Sequence, residues 1–208
     1  MGMIDLPRLN IYTLPVLVAL LLDVALILLV LVKTSRNRLH MTFVAWTATV
    51  AIWNMGALGI FGATNETSAL FWSRVCYCGN TLFSAFFLHM VLELCEIHSK
   101  FHRRLLGVAY AVGASLLLGN FLSSRFLAAG VVLRFWGYAP VGGPGTYVLD
   151  VLLLGTFTYC LFLVRQAYRR AWDVRRNQLQ YMFWGILVFF AGGVINVLMV
   201  PRSKTSRT

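Results

Sequence analysis

From Ile11 to Val32 the chain is apolar without a break and carries one charged residue, Asp23. Five further long apolar segments follow at about 41–62, 70–95, 105–122, 147–164 and 179–200. A helix rises about 1.5 Å per residue, so each segment is long enough to cross about 30 Å of hydrocarbon. The chain has 208 residues, of which 59% are hydrophobic and 12% charged. Soluble domains lie near 45–50% apolar and about 25% charged. A water-soluble globule would have to enclose more apolar surface than a chain of this length can. The same excess excludes a disordered chain, and a nucleic-acid-binding protein despite the net charge of +11. The segments show no period of two, unlike the strands of an outer-membrane barrel. A helix pairs its own backbone groups in lipid without help from neighbours. The fold expected is therefore all-α: a polytopic transmembrane helix bundle of six spans, forming a single domain over residues 1–208. The first segment lacks a basic leader and a small-residue cleavage site before Lys33, so it is expected to be a span and not a signal peptide.

Basic residues set the expected orientation. Lys33, Arg36 and Arg38 follow the first span. Lys100, Arg103 and Arg104 follow the third, and Arg165, Arg169, Arg170, Arg175 and Arg176 follow the fifth. The other side has Arg8, Arg125 and Arg134, with Arg74 at the start of the third span. Cytoplasmic loops are the basic ones, so the N-terminus is expected outside. Six spans would then leave the tail with Arg202, Lys204 and Arg207 outside, against the rule. The lipid bilayer is the partner this charge implies, through anionic headgroups, and nucleic acid is not.

The longest link, 123–146, admits two readings. Val131 to Tyr138 is rich in β-branched and aromatic residues and meets a Pro/Gly cluster, which suits an extended segment with a turn. An interfacial loop, with Phe135, Trp136 and Tyr138 at headgroup level, is the preferred expectation. Asn65-Glu66-Thr67 matches the glycosylation triplet, a short and common pattern. Cys76, Cys78, Cys95 and Cys160 are expected within helices, as small buried apolar residues.

Charged and amide side chains inside hydrocarbon are costly, so each is a site candidate. Asp23 sits in mid-span with no obvious partner, and a neutral carboxylic acid hydrogen-bonded to a neighbouring helix is the preferred reading over a functional role. Arg74 and Asp150 lie near the outer ends of the third and fifth spans, where an ion pair between them is compatible with the spacing. His89 and Glu93 share a helix face, as do His98 and His102. Glu93 and Glu96 suit an interfacial charge cluster. Neither histidine pair supplies the three convergent ligands a metal needs. Asn54, Asn80, Asn120 and Asn196 are expected to bridge helices. Gly107, Ala111, Gly113, Gly185, Gly192 and Gly193 offer thin packing surfaces. No phosphate loop, dinucleotide fingerprint or nucleophile elbow is present in the sequence, so no catalytic residue, metal or cofactor is expected.

The stretch Arg175-Arg176-Asn177-Gln178-Leu179-Gln180-Tyr181 leads to Gly185, Gly192-Gly193, Ile195-Asn196 and Pro201. Trp72 and Arg74 open the third span, Phe86, Phe87 and Leu88 follow in it, and Tyr138 and Gly142 to Tyr147 precede the fifth. This pattern resembles the seven-helix N-terminal sensor region of bacterial and archaeal sensor histidine kinases. The resemblance implies signal input in the cell membrane, often as a homodimer, upstream of a cytoplasmic signalling partner. A seventh helix, a phosphoacceptor histidine region and an ATP-binding domain are not found in these residues. The expected input surface comprises Trp72, Arg74, Trp136, Tyr138 and Asp150. The expected output face comprises Arg169, Arg170, Arg175, Arg176 and Gln178. A small transporter or channel subunit would instead line a shared path with polar groups. An intramembrane enzyme would converge Asp23, or His89 and Glu93, with further polar groups in a cavity. A structural or assembly partner is the remaining class.

Overall fold

The computed structural model describes residues 11–33, 37–123 and 125–199. Six helices follow in chain order: α1 (Thr13–Lys33), α2 (Arg38–Phe61), α3 (Glu66–Leu94), α4 (Lys100–Leu122), α5 (Pro144–Tyr168) and α6 (Asp173–Met199). Between α4 and α5 stand two strands, β1 (Ala128–Arg134) and β2 (Gly137–Gly142). Helices α1 to α5 are long and apolar enough to cross a membrane. The sixth expected span falls in α6. Arg8, Arg36, Pro201, Arg202, Lys204 and Arg207 lie outside the described residues, as do the side chain of Asn196 and the surroundings of Gly193.

Local chemistry sets the helix starts. Asn37 accepts the His40 N–H at 2.8 Å, and Asn65 accepts the Ser68 N–H at 2.8 Å. Ser99 accepts the His102 N–H at 3.3 Å. Each bond satisfies one of the donors a helix start leaves unpaired. Asn65 of the glycosylation triplet is thus the cap of α3. Pro144 opens α5, where its missing N–H costs nothing. Helix α3 ends with Ile97 N–H on Leu92 O at 2.9 Å and Glu96 N–H on Glu93 O at 3.2 Å. That paired closure needs a left-handed residue, and Glu96 supplies it at φ 54°.

The 123–146 link takes the extended form with a turn, the reading not preferred from sequence. Strands β1 and β2 pair antiparallel, with Val131 opposite Pro140 and Leu133 opposite Tyr138. The turn falls at Phe135-Trp136, ahead of the Pro/Gly cluster, because Gly137 takes φ 129° there. Pro140 is tolerated because each strand of a two-stranded ribbon has an unpaired edge. Such a ribbon is marginal alone. Here its base is held by Gly143 N–H on Leu127 O at 2.8 Å and Gly145 N–H on Phe126 O at 2.9 Å. Leu127 and Ala128 are buried with Tyr77, Leu116 and Leu149.

Helix α3 is central and packs against α2, α4 and α5. Lipid offers no hydrophobic reason for helices to associate, so close backbone approach does the work. A Cβ on Gly56 would strike the Cys76 backbone, and one on Gly59 would strike the Trp72 ring. A Cβ on Gly79 would come within 2.5 Å of Thr49 O. The α2–α3 contact therefore rests on three glycines. Gly113 of α4 sits on Thr81 O of α3 in the same way. Gly107, Gly185 and Gly192 face open space and Ala111 is exposed, so the thin surfaces expected there are not used. Hydropathy marks a small residue as permitted in a span but does not say which way it points.

Towards the other end, rings fill the seam between α3, α5 and α6. Phe83 stacks on Phe87 at 6.0 Å and on Phe189 at 5.4 Å, and Phe87 meets Phe157 at 4.9 Å. Cys76, Cys95 and Cys160 are buried and Cys78 is half-buried, all four as free thiols. Cys95 caps α3 and does not lie within it. Leu21, Leu22, Val151 and Phe162 are exposed, as lipid-facing residues should be.

Candidate functional site

The start of α2 and the α3–α4 and α5–α6 links gather at one end of the bundle, the arginine end. The α2–α3 link and the hairpin mark the other, the hairpin end. Arg175 of α6, for example, reaches Leu94 O at the end of α3. At the hairpin end, Gly137 lies against Phe61, the last residue of α2.

All five expected input residues stand at the hairpin end, on different sides of α3. Arg74 is half-buried, and its Nε is buried without a hydrogen-bond partner. Its backbone oxygen accepts from Asn120 Nδ2 of α4 at 3.1 Å. The same amide lies 3.5 Å from Cys78 Sγ. One turn beyond Arg74, on the same face, is buried Tyr77, with Asp150 of α5 within electrostatic reach. Arg74, Tyr77, Asn120 and Asp150 thus bring polar groups of three helices to one region beneath the hairpin, with the Asn120 bond to Arg74 O tying α4 to α3. Trp72 points the opposite way, onto Gly59, with its Nε1 buried and unpartnered. Trp136 occupies the hairpin turn, edge-on to Phe135 at 4.3 Å. Tyr138 is the second residue of the return strand, opposite Leu133. Tyr77 was not among the residues expected from sequence. Its spacing of three from Arg74 is the signal that could have found it.

Asp23 is hydrogen-bonded to the neighbouring helix, as the preferred reading of its mid-span position expects, though its partner is not evident from the sequence. Asn54 Nδ2 of α2 donates to Asp23 Oδ2 of α1 at 2.8 Å. The two helices form an antiparallel pair, but which faces meet depends on helix rotation, which the sequence leaves open. Asn80 makes no side-chain hydrogen bond among the described residues.

At the arginine end the expected Glu93–Glu96 cluster separates into two pairings. Glu93 Oε1 lies 3.8 Å from His89 Nε2, and His89 Nδ1 lies 3.1 Å from the Tyr110 hydroxyl. Glu96 Oε1 lies 3.0 Å from Arg175 Nη1. Arg176 stands over the Tyr168 ring at 5.0 Å. Arg169 caps α5, and Arg169, Arg170 and Gln178 are exposed. Among the described residues no three His, Cys, Asp or Glu side chains gather as metal ligands would.

A family model described as the N-terminal 7TM region of histidine kinase matches residues 15–205. No curated protein matches the chain.

Proposed function

Because the chain belongs to the family of N-terminal 7TM regions of histidine kinases, we propose that it is a membrane-embedded signal-input unit with no catalytic activity of its own. In this reading it is a multi-pass protein of the cell membrane with six spans. Its N-terminus and hairpin lie outside, and its arginine end meets the cytoplasm. The gathering of Lys33, Arg38, Lys100, Arg103, Arg104, Arg169 and Arg170 at one end supports that orientation.

One observation carries the input role. Beneath the hairpin, polar groups of three helices meet, and the buried Nε of Arg74 has no partner. A stimulus that binds there in one packing state better than in another shifts the bundle between the two. The α5–α6 link, with Arg169 and Arg170, and the start of α6, with Arg175, Arg176 and Gln178, then carry the shift to a cytoplasmic signalling protein. A second copy of the chain is the expected assembly partner.

The test is a fusion of this chain to a kinase reporter in cells. Arg74→Gln and Asp150→Asn should change reporter output at unaltered membrane abundance. Unchanged output in both would remove the hairpin end as the input surface.

A further inference from the structure

A cavity of about 410 Å³ opens at the arginine end, where α2 begins, α3 ends and α4 begins. We propose that it binds a phosphate group, carried by a lipid headgroup or free. The site lies apart from the input surface, and the proposal does not depend on which side of the membrane this end faces.

The charge pattern is the first support. Arg38, the first residue of α2, and Arg103, in the first turn of α4, both line the cavity. Among the described residues Arg175 pairs with Glu96, and His89 Nε2 stands 3.8 Å from Glu93 Oε1; neither Arg38 nor Arg103 has a carboxylate within ion-pair distance. The two guanidinium groups are therefore not held in ion pairs, and the wall carries two fixed positive charges against the one carboxylate of Glu93. Guanidinium groups are planar forks that grip phosphate oxygens in pairs. His98 and His102 stand in the same wall as further ring N–H donors.

The second support is what the wall cannot hold. A metal ion would face two guanidinium groups and no triad of ligands. Glu93 would oppose an anion, but as one charge against two. The third support is the remaining lining: Leu92, Ile97 and Leu106 give the cavity an apolar side where the helices enter hydrocarbon. A polar mouth continuing into an apolar wall matches the junction of headgroup and acyl chain, and basic pockets between membrane helices bind such headgroups.

The experiment uses the purified full chain in neutral detergent. Binding of short-chain phosphatidic acid is measured, with short-chain phosphatidylcholine as the zwitterionic control and inorganic phosphate as competitor. The double variant R38Q/R103Q should weaken phosphatidic acid binding at least tenfold. Removal of two charges of the same helix start that do not line the cavity, in K100Q/R104Q, should change it less than twofold. Glu93→Gln should tighten it severalfold, which keeps the proposal testable if the arginine variant fails to fold. Competition by inorganic phosphate, lost in R38Q/R103Q, assigns the site to free phosphate. Failure to compete, with lipid binding intact, assigns it to the headgroup. Equal binding by the chain and R38Q/R103Q, equal losses in both double variants, or no effect of Glu93→Gln would overturn the proposal.

Discussion

Arg175 Nη1 lies 3.0 Å from Glu96 Oε1, and the same guanidinium donates to Leu94 O at 3.4 Å. The end of α3 and the first turn of α6 are joined by this one side chain. Glu96 holds its carboxylate there from a left-handed backbone, φ 54°, and Asp173 at the start of α6 has φ 47°. A non-glycine residue in that region costs roughly 1–2 kcal/mol. The exposed pair returns only about 0–1 kcal/mol.

Backbone relief should therefore outweigh loss of the pair. Glu96→Gly is expected to unfold in detergent at the same temperature as the parent or higher. Glu96→Ala loses the pair without relieving the backbone, and should unfold earlier than Glu96→Gly. Thermal melts of the two variants measure this difference directly.

The Asn54–Asp23 bond is the polar tie between α1 and α2 seen in the span interiors. Asn54→Leu should destabilise the bundle by about 1 kcal/mol, the scale of interhelical hydrogen bonds in membranes. Asp23→Asn keeps an acceptor for the amide and should cost less. Unfolding in mixed micelles would rank the two, and a larger loss for Asp23→Asn would contradict the assignment.

Glycine contacts give the sharpest structural contrast. A methyl group at Gly56 or Gly79 meets backbone, so Gly56→Ala or Gly79→Ala should cost about 1–3 kcal/mol through overpacking. Gly107→Ala and Gly192→Ala meet open space and should be neutral or slightly stabilising. Yield of monodisperse protein after extraction, together with melting temperature, reads both.

Gly137 carries the hairpin turn at φ 129°, and a Cβ there would stand 3.0 Å from Phe61 O. Gly137→Val should disorder the turn and lift it from α2. Proteolysis near Trp136 in the folded protein should accelerate, while cleavage in the α3–α4 link stays as it was.

How far the sequence reached depends on the scale of the question. Run length alone located the helices, because hydrocarbon thickness dictates length and backbone satisfaction dictates helix. Pairing was less legible. Asp23 and Asn54 are far apart in sequence, and their meeting depends on the rotation of two helices that are apolar almost all round. Gly56 and Gly79 were missed for the same reason, while Gly107 and Gly192 looked equally suitable. The hairpin was half legible: its β-branched run was visible, but the deciding residue was Gly137, within an aromatic stretch that also suits a headgroup loop. Glu96 looked like a companion of Glu93 because the left-handed step that turns it towards Arg175 leaves no mark in residue type.

The glycine seam divides the bundle mechanically. Where two backbones touch, sliding would drive main chain into main chain, so α2 and α3 must travel as one stiff plank. Phenylalanine rings between α3, α5 and α6 are a different material, since a ring can tilt or slip past its neighbour without any backbone colliding. Any motion between these helices has its low-friction surface along those rings, and the plank is what the other helices glide against.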